Sequence, residues 1–159
     1  GPLGTFVPRE DSERPILMVA GGTGFAPAKA IVEHVLHLGS TRPLHIFRGV
    51  RNEAELYLPD LPAQWARRHP ALRHTVVLSQ PDPGEATRYE TGLVHEAVLR
   101  NFPELSAFDV YMSGPPALIE AGRRAFIAAG LPEQRLYFDS FEYAPDVLAA
   151  ILRARAGIG

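Results

Sequence analysis

The sequence predicts a single α/β domain, in which helices cover both faces of a doubly wound sheet of five parallel strands, giving three layers. Two observations support this fold. Short apolar runs of strand length alternate with segments of helical periodicity along the 159 residues, and such alternation is typical of parallel βαβ units. The hydrophobic fraction of 46% and the charged fraction of 21% are those of a globular protein.

The first half of the chain provides three of the predicted strands. A glycine-rich turn follows the first strand, and Gly39 ends the helix after that turn. Pro59 and Pro62 break the next helical stretch into two short pieces. The predicted elements are the strand Ile16–Ala20, the helix Pro27–Leu38, the strand Leu44–Val50, the helical pieces within 54–68 and the strand Leu72–Leu78.

The second half provides two more strands. Polar residues and prolines between Ser79 and Thr91 predict a loop. Prolines in the first turn of the helix from Pro115 cost little, because the N–H groups there have no partner within the helix. The predicted elements are the helix Leu93–Arg100, the strand Phe108–Met112, the helix Pro115–Ala129, the strand Leu136–Phe141 and a final helix Asp146–Ala156.

Composition excludes several classes of protein. The net charge of -2 offers no basic surface for nucleic acid, and no apolar run reaches the 18 residues of a membrane span. The absence of cysteine excludes disulfides and thiolate metal sites. We therefore expect a cytoplasmic protein with no metal site, no nucleic-acid partner and no membrane partner.

The most informative motif is the turn between the first strand and the first helix. Glycines let the backbone approach an anion, and the N–H groups of a helix N-terminus donate hydrogen bonds to it. The turn differs from the Rossmann pattern because Pro27 stands at the third glycine. It predicts a phosphate-binding site, although a tight turn without a ligand has the same composition. The candidate residues are Gly21, Gly22, Thr23, Gly24 and Pro27.

The other strand ends carry weaker signals. Parallel sheets bind ligands beyond the carboxyl ends of their strands. Gly49 and Arg51 follow the second strand, and Ser79 follows the third. An arginine there holds a ribose or a phosphate, or is simply solvated. The fourth strand is followed by a second glycine turn, which is either a ligand contact or an ordinary helix start; its residues are Ser113, Gly114, Pro115 and Pro116.

Taken in order, these motifs resemble the nicotinamide-binding domain of the ferredoxin–NADP reductase superfamily. More narrowly, the chain is similar to the reductase components of bacterial oxygenases and to the CDP-6-deoxy-delta-3,4-glucoseen reductases. The resemblance covers residues 1 to 141. It implies that the turn Gly21–Gly24 holds the pyrophosphate, that Gly49–Arg51 faces the adenosine, and that Gly114–Pro116 lies under the nicotinamide.

The resemblance also implies residues close to the chemistry. The family usually has cysteine beside the reacting nicotinamide carbon, where this chain has Ser113. The family commonly ends with an acidic residue and an aromatic residue near the flavin, which Asp139 and Phe141 match. The implied catalytic residues are therefore Ser113, Asp139 and Phe141.

The implied function is that of an NAD(P)H-dependent flavoprotein reductase, of which this chain is the nicotinamide-binding part. Hydride passes from NADH to FAD, bound mainly by a barrel domain that the chain lacks, and electrons continue to an acceptor protein or domain such as a [2Fe–2S] centre. Alternatives are a free-flavin reductase and a non-catalytic nucleotide sensor. Gln80 and Asp82 follow Ser79 where NADP-specific relatives have basic residues, which favours NADH; Arg51 and Arg88 are the residues that would reverse this preference.

The ends of the chain lie outside this nicotinamide-binding unit, residues 15–141. Residues 1–14 are expected to be a linker or the last stretch of the flavin barrel, since Gly-Pro-Leu-Gly-x-Phe is common there; an expression-tag scar has the same first four residues. Residues 142–159 are expected to form a helical tail.

Overall fold

The computed structural model describes residues 11–22 and 25–140. Its centre is a parallel sheet of six strands in the order β4-β3-β2-β1-β5-β6. The central strand β1 therefore has the next strand of the chain on one side and a much later strand on the other. The strands are β1 Ile16–Gly21, β2 Leu44–Val50, β3 Leu72–Leu78, β4 Glu90–Thr91, β5 Asp109–Gly114 and β6 Leu136–Ser140.

Four α-helices cover the two faces of the sheet, and each face has its own hydrophobic core. Because side chains alternate along a strand, Met18 of β1 packs under the first two helices, whereas Val19 packs under the last two. The three-layer α/β prediction is therefore confirmed. The helices are α1 Phe25–His37 and α2 Leu61–Arg68 on one face, and α3 Val94–Asn101 and α4 Pro116–Ala128 on the other.

The prediction of five strands is wrong, because residues 90 and 91 of the predicted loop form β4. This strand pairs with Val77 and Leu78 at the edge of the sheet, and the Gly92 N–H donates to the Leu78 carbonyl oxygen at 2.9 Å. Two polar residues carry no alternation of apolar and polar positions, so neighbouring backbone, not side-chain pattern, determines this strand.

Two other predictions lie at the limits of the structure. The predicted final helix, 146–156, and Phe141 are outside the described residues. Within the described ranges, no helix is both long and apolar enough to cross a membrane.

Candidate functional site

Three glycine-bearing strand ends meet at the carboxyl edge of the sheet. Gly21 of β1 is paired in register with Gly49 of β2, and the Gly22 N–H donates to the Gly49 carbonyl oxygen at 3.1 Å. A Cβ on Gly114, at the end of β5, would lie 3.3 Å from the carbonyl oxygen of Gly21. The predicted turn residues after the first, second and fourth predicted strands thus form one continuous backbone surface.

Packing explains two of these glycines. A Cβ on Gly21 would lie 1.9 Å from Cδ1 of Leu118 in α4, and one on Gly49 would lie 2.9 Å from Cβ of Val94 in α3. The absence of side chains therefore lets both helices approach the strand ends closely.

Gly22 is different, because the space beside it is open. Its φ is +60°, in the left-handed region that favours glycine. The nearest atom to a Cβ there would be Cδ of Pro115, at 3.9 Å. Gly22 is also exposed, so its backbone faces solvent where a ligand can approach it.

A cleft of about 350 Å³ opens beside this surface, between the ends of β2 and β3 and the start of α3. This volume lies within the roughly 300–1,000 Å³ range of small-molecule sites. One wall is apolar, and the half-exposed side chain of Leu93 belongs to it. The structure brings four predicted residues together here: Gly22, Gly49, Arg51 and Ser79.

The cations beside the cleft already have carboxylate partners. Arg51 Nη2 lies 2.7 Å from Oε2 of Glu55, and the hydrogen bond from Arg51 lowers the pKa of that carboxyl group. Arg88 Nη2 lies 2.6 Å from Oε2 of Glu53, and that hydrogen bond lowers the pKa of Glu53. A phosphate on the ligand would have to compete with these carboxylates for either arginine.

A row of buried polar residues crosses the sheet one residue before these glycines. Ala20 is paired with Arg48 on one side and Ser113 on the other, and Ser113 is paired with Asp139. Residues of one row in a parallel sheet project to the same face, which here is the face under α1 and α2. The three polar members are 2%, 0% and 7% exposed respectively.

Ser113 and Asp139 are neighbours across β5 and β6. The Ser113 Oγ is buried and has no hydrogen-bond partner among the described residues. Burial raises the pKa of Asp139. Pro115 and Pro116 are exposed at the start of α4, and Pro27 is partly buried in the first turn of α1.

Not every predicted residue can be placed. Thr23, Gly24 and Phe141 lie outside the described residues. In the part of the chain that the structure does describe, no group of three or more His, Asp or Glu side chains could hold a metal ion.

Sequence reasoning missed several residues of the site. Glu55, Leu93 and Leu118 line the cleft. Glu55 could have been identified from the sequence, because it stands four residues after Arg51. Arg48 was also missed. A charged residue at the end of an apolar strand, directly before the Gly49 turn, was the signal that this position is unusual.

Comparison with known proteins identifies the family of this chain. The family model described as "Oxidoreductase NAD-binding domain" matches residues 18–124. The chain is 42% identical over 141 residues to the CDP-6-deoxy-L-threo-D-glycero-4-hexulose-3-dehydrase reductase of Yersinia pestis. It is 35% identical over 141 residues to a ferredoxin–NAD(P)+ reductase component of the naphthalene 1,2-dioxygenase/salicylate 5-hydroxylase systems in a Ralstonia species.

These relatives are longer than the chain. The matches cover 89% of this chain and 42% of each relative. Among solved structures, a cytochrome P450 reductase from Amycolatopsis is 31% identical, with a TM-score of 0.76 over 83% of this chain and 39% of that one. A ferredoxin reductase of carbazole 1,9a-dioxygenase shares the fold, with a TM-score of 0.72 over 84% of this chain and 40% of that one. Its sequence identity to this chain is 22%. The resemblance inferred from the motifs is confirmed.

Proposed function

Because the chain belongs to the family of oxidoreductase NAD-binding domains, we propose that it binds NADH across the carboxyl edge of its sheet and presents the nicotinamide to a flavin held by another domain. The observation that carries this proposal is the continuous backbone surface of Gly21, Gly49 and Gly114 beside the 350 Å³ cleft. That surface lies where strand order changes direction, between β1 and its neighbours, and doubly wound sheets bind dinucleotides there.

The pyrophosphate lies at the turn after β1. Gly22 offers an exposed backbone with an open approach, and α1 follows with 13 residues and no acidic side chain in its first turn. The partial positive charge of that helix end favours the two phosphate charges. Gly22 therefore sets the point at which the dinucleotide crosses the sheet.

The adenosine half occupies the cleft. The apolar wall that includes Leu93 packs against the adenine ring, and Ser79 and Arg51 lie near the ribose. Arg51 and Arg88 are already paired with Glu55 and Glu53. The carboxylates therefore accept hydrogen bonds from a ribose hydroxyl, whereas neither arginine is free to bind a 2′-phosphate. The chain therefore prefers NADH to NADPH.

The nicotinamide half lies toward β5 and β6. Ser113 is buried beneath the turn that Gly114 begins, and its free Oγ interacts with the carboxamide or the ring. The chain's residues position the ring and exclude water from it, since the hydride chemistry belongs to the cofactors. Asp139, which is paired with Ser113 across β5 and β6, lies on the flavin side of the ring.

The rest of the reaction lies outside this chain. A flavin bound by a barrel domain of the same polypeptide would supply a two-electron acceptor for the hydride and a donor of single electrons. The relatives' names identify ferredoxin and oxygenase systems, which supports a [2Fe–2S] centre as the acceptor of those electrons.

Calorimetric titration of the chain with NAD+ tests the proposal. Gly22→Asn keeps a residue that tolerates a left-handed backbone but places a side chain where the pyrophosphate lies, so we expect binding at least tenfold weaker. Gly39→Asn is the matched control, because Gly39 has a φ of +67° and open space around it, away from the cleft. No binding by the wild-type chain, or equal binding by both variants and the wild type, would contradict the proposal.

A further inference from the structure

Arg48 is a buried cation beside the cleft to which the proposed function assigns no role. It lies next to the last residues of β2, is 2% exposed, and faces the α1 side of the sheet. No acceptor among the described residues lies within hydrogen-bonding distance of its Nε or Nη1. Buried polar groups almost always have partners, so two buried guanidinium nitrogens without partners require an explanation.

The surroundings of Arg48 supply an aromatic ring but no negative charge. Its guanidinium carbon lies 3.8 Å from the centroid of the Phe25 ring, which itself packs on Trp65. No carboxylate of the described residues forms an ion pair with it. Burial lowers the pKa of Arg48 to about 10, which leaves it charged at neutral pH.

Phe25 connects this charge to the dinucleotide site. It is the first residue of α1, so the guanidinium lies under the helix end whose partial charge is also positive. The strand partner of Arg48 is Ala20, the residue directly before Gly21 and Gly22. Two positive charges thus adjoin the phosphate-binding turn, and no protein anion of the described residues compensates them.

Resting on the function proposed above, we infer that Arg48 is a positioning residue for the dinucleotide, whose buried charge attracts the pyrophosphate to the turn after β1. It acts through the electrostatic field and through Phe25, without contacting the ligand. A buried charge is screened by water and salt much less than an exposed one, so its field extends beyond the atoms that it contacts.

A positioning role for Arg48 and a purely structural role predict different effects of substitution on stability and on ligand binding. Burying an unpaired charge is unfavourable, and replacing a buried charge by an apolar side chain of similar size often stabilises a protein. Removing the charge of Arg48 should therefore preserve or raise stability while weakening binding of the pyrophosphate. A structural arginine would lower stability when removed and affect all ligands alike.

The experiment compares the wild-type chain with Arg48→Met, Arg48→Lys and Arg48→Gln. ADP-ribose, which has the pyrophosphate, is titrated by calorimetry, and adenosine, which has none, by NMR. We expect about tenfold weaker ADP-ribose binding by Arg48→Met and by Arg48→Gln, less than twofold change for adenosine, and substantial recovery in Arg48→Lys. Arg124→Met, which changes an exposed arginine of α4, should behave as wild type.

Thermal unfolding is the second measurement. We expect the Tm of Arg48→Met to equal or exceed that of the wild type. Equal ADP-ribose affinity in wild type and Arg48→Met, or parallel losses for ADP-ribose and adenosine, would overturn the inference while leaving the proposed function intact. If Arg48→Met does not fold or has a Tm far below that of the wild type, the expected gain in stability is wrong and Arg48 is a structural residue; Arg48→Gln and Arg48→Lys then still show whether its charge affects ADP-ribose binding. A wild-type chain that binds neither ADP-ribose nor NAD+ would overturn the proposed function itself.

Discussion

Two buried charges, Asp109 and Arg48, lie at opposite ends of the same sheet and differ in how they are compensated. Asp109 begins β5 and is 1% exposed. Its Oδ2 lies 2.7 Å from Nη2 of Arg42 and accepts a hydrogen bond from Ser12 Oγ at 2.6 Å. Its Oδ1 has no hydrogen-bond partner among the described residues, but it lies 3.7 Å from the positive charge of Arg14 Nη1. Arg48, near the end of β2, has an aromatic ring beside it and no counter-ion among the described residues.

This difference in compensation distinguishes a charge that stabilises the fold from a charge that acts in ligand binding. The partners of Asp109 include two residues that precede β1, so this charge fixes the entering chain, residues 11–15, against the amino edge of the sheet. Near the carboxyl edge, in contrast, Arg48 forms no ion pair with a carboxylate of the described residues, and its Nε and Nη1 have no hydrogen-bond partner there. We infer that a charge paired inside the protein stabilises the fold, whereas the field of an unpaired buried charge acts on a bound ligand.

The largest expected effect comes from breaking the compensated charge. Asp109→Ala leaves Arg42, with only 10% of its side chain exposed, without its buried carboxylate. Removing one partner of a buried ion pair typically costs about 3 kcal/mol of the free energy of unfolding. Urea unfolding measures the loss, and NAD+ affinity of the folded variant should stay unchanged because the substitution lies at the far edge of the sheet.

Glu133→Gln is the control for that prediction. It breaks an ion pair with Arg123 in which both side chains are well exposed, and exposed pairs contribute roughly 1 kcal/mol or less. Equal losses from Asp109→Ala and Glu133→Gln would mean that the amino edge does not depend on its buried carboxylate.

The next effect concerns the imidazole beside the uncompensated charge. Burial and the charges of Arg48 and His45 lower the pKa of His74 to about 4. The unfolded chain therefore binds more protons between about pH 6.5 and pH 4, and stability falls as the pH falls through this window. Relative to His74→Gln, the wild type should lose about 2 kcal/mol more between pH 7 and pH 5.

Removing Arg48 sharpens this test. In Arg48→Met the charge no longer disfavours the imidazolium, so the pKa of His74 should rise toward its ordinary value and the loss of stability should shrink. NMR titration of the His74 ring reports the pKa directly. Identical His74 titrations in wild type and Arg48→Met would show that the charge of Arg48 does not extend to its neighbours.

The smallest effect concerns a charge that is paired but exposed. Glu55→Gln removes the carboxylate that holds Arg51 at the cleft, which frees a cation for a 2′-phosphate. The ratio of the NADP+ to the NAD+ dissociation constant should fall about fivefold, equivalent to roughly 1 kcal/mol, at low salt, where screening is weakest. An unchanged ratio, as expected for Glu133→Gln, would show that Glu55 does not set the preference.

Much of this arrangement was readable in the sequence. The apolar runs of β1, β2 and β3 and the glycine turns after them follow rules of periodicity and turn chemistry, which act locally. The sequence also predicted that Gly22, Gly49 and Ser79 lie close together, because strand ends in such a sheet converge, and all three line the cleft.

The rest depended on contacts between distant residues. The two-residue strand β4 exists because β3 offers an edge to pair with, and Asp109 is compensated by Arg42, which lies 67 positions earlier. Neither contact produces a periodic pattern of apolar and polar residues in the sequence. The isolation of Arg48 was equally hidden, since only the packed structure shows which charges have no partner.

The most direct test is an amide NMR titration of the chain with NAD+. If the dinucleotide lies across the carboxyl edge of the sheet, the largest shift changes fall on Gly22, Gly49, Arg51 and Gly114, while the amides of Arg42 and Asp109 stay unchanged. Shift changes centred on the amino edge, or none at saturating NAD+, would contradict the account.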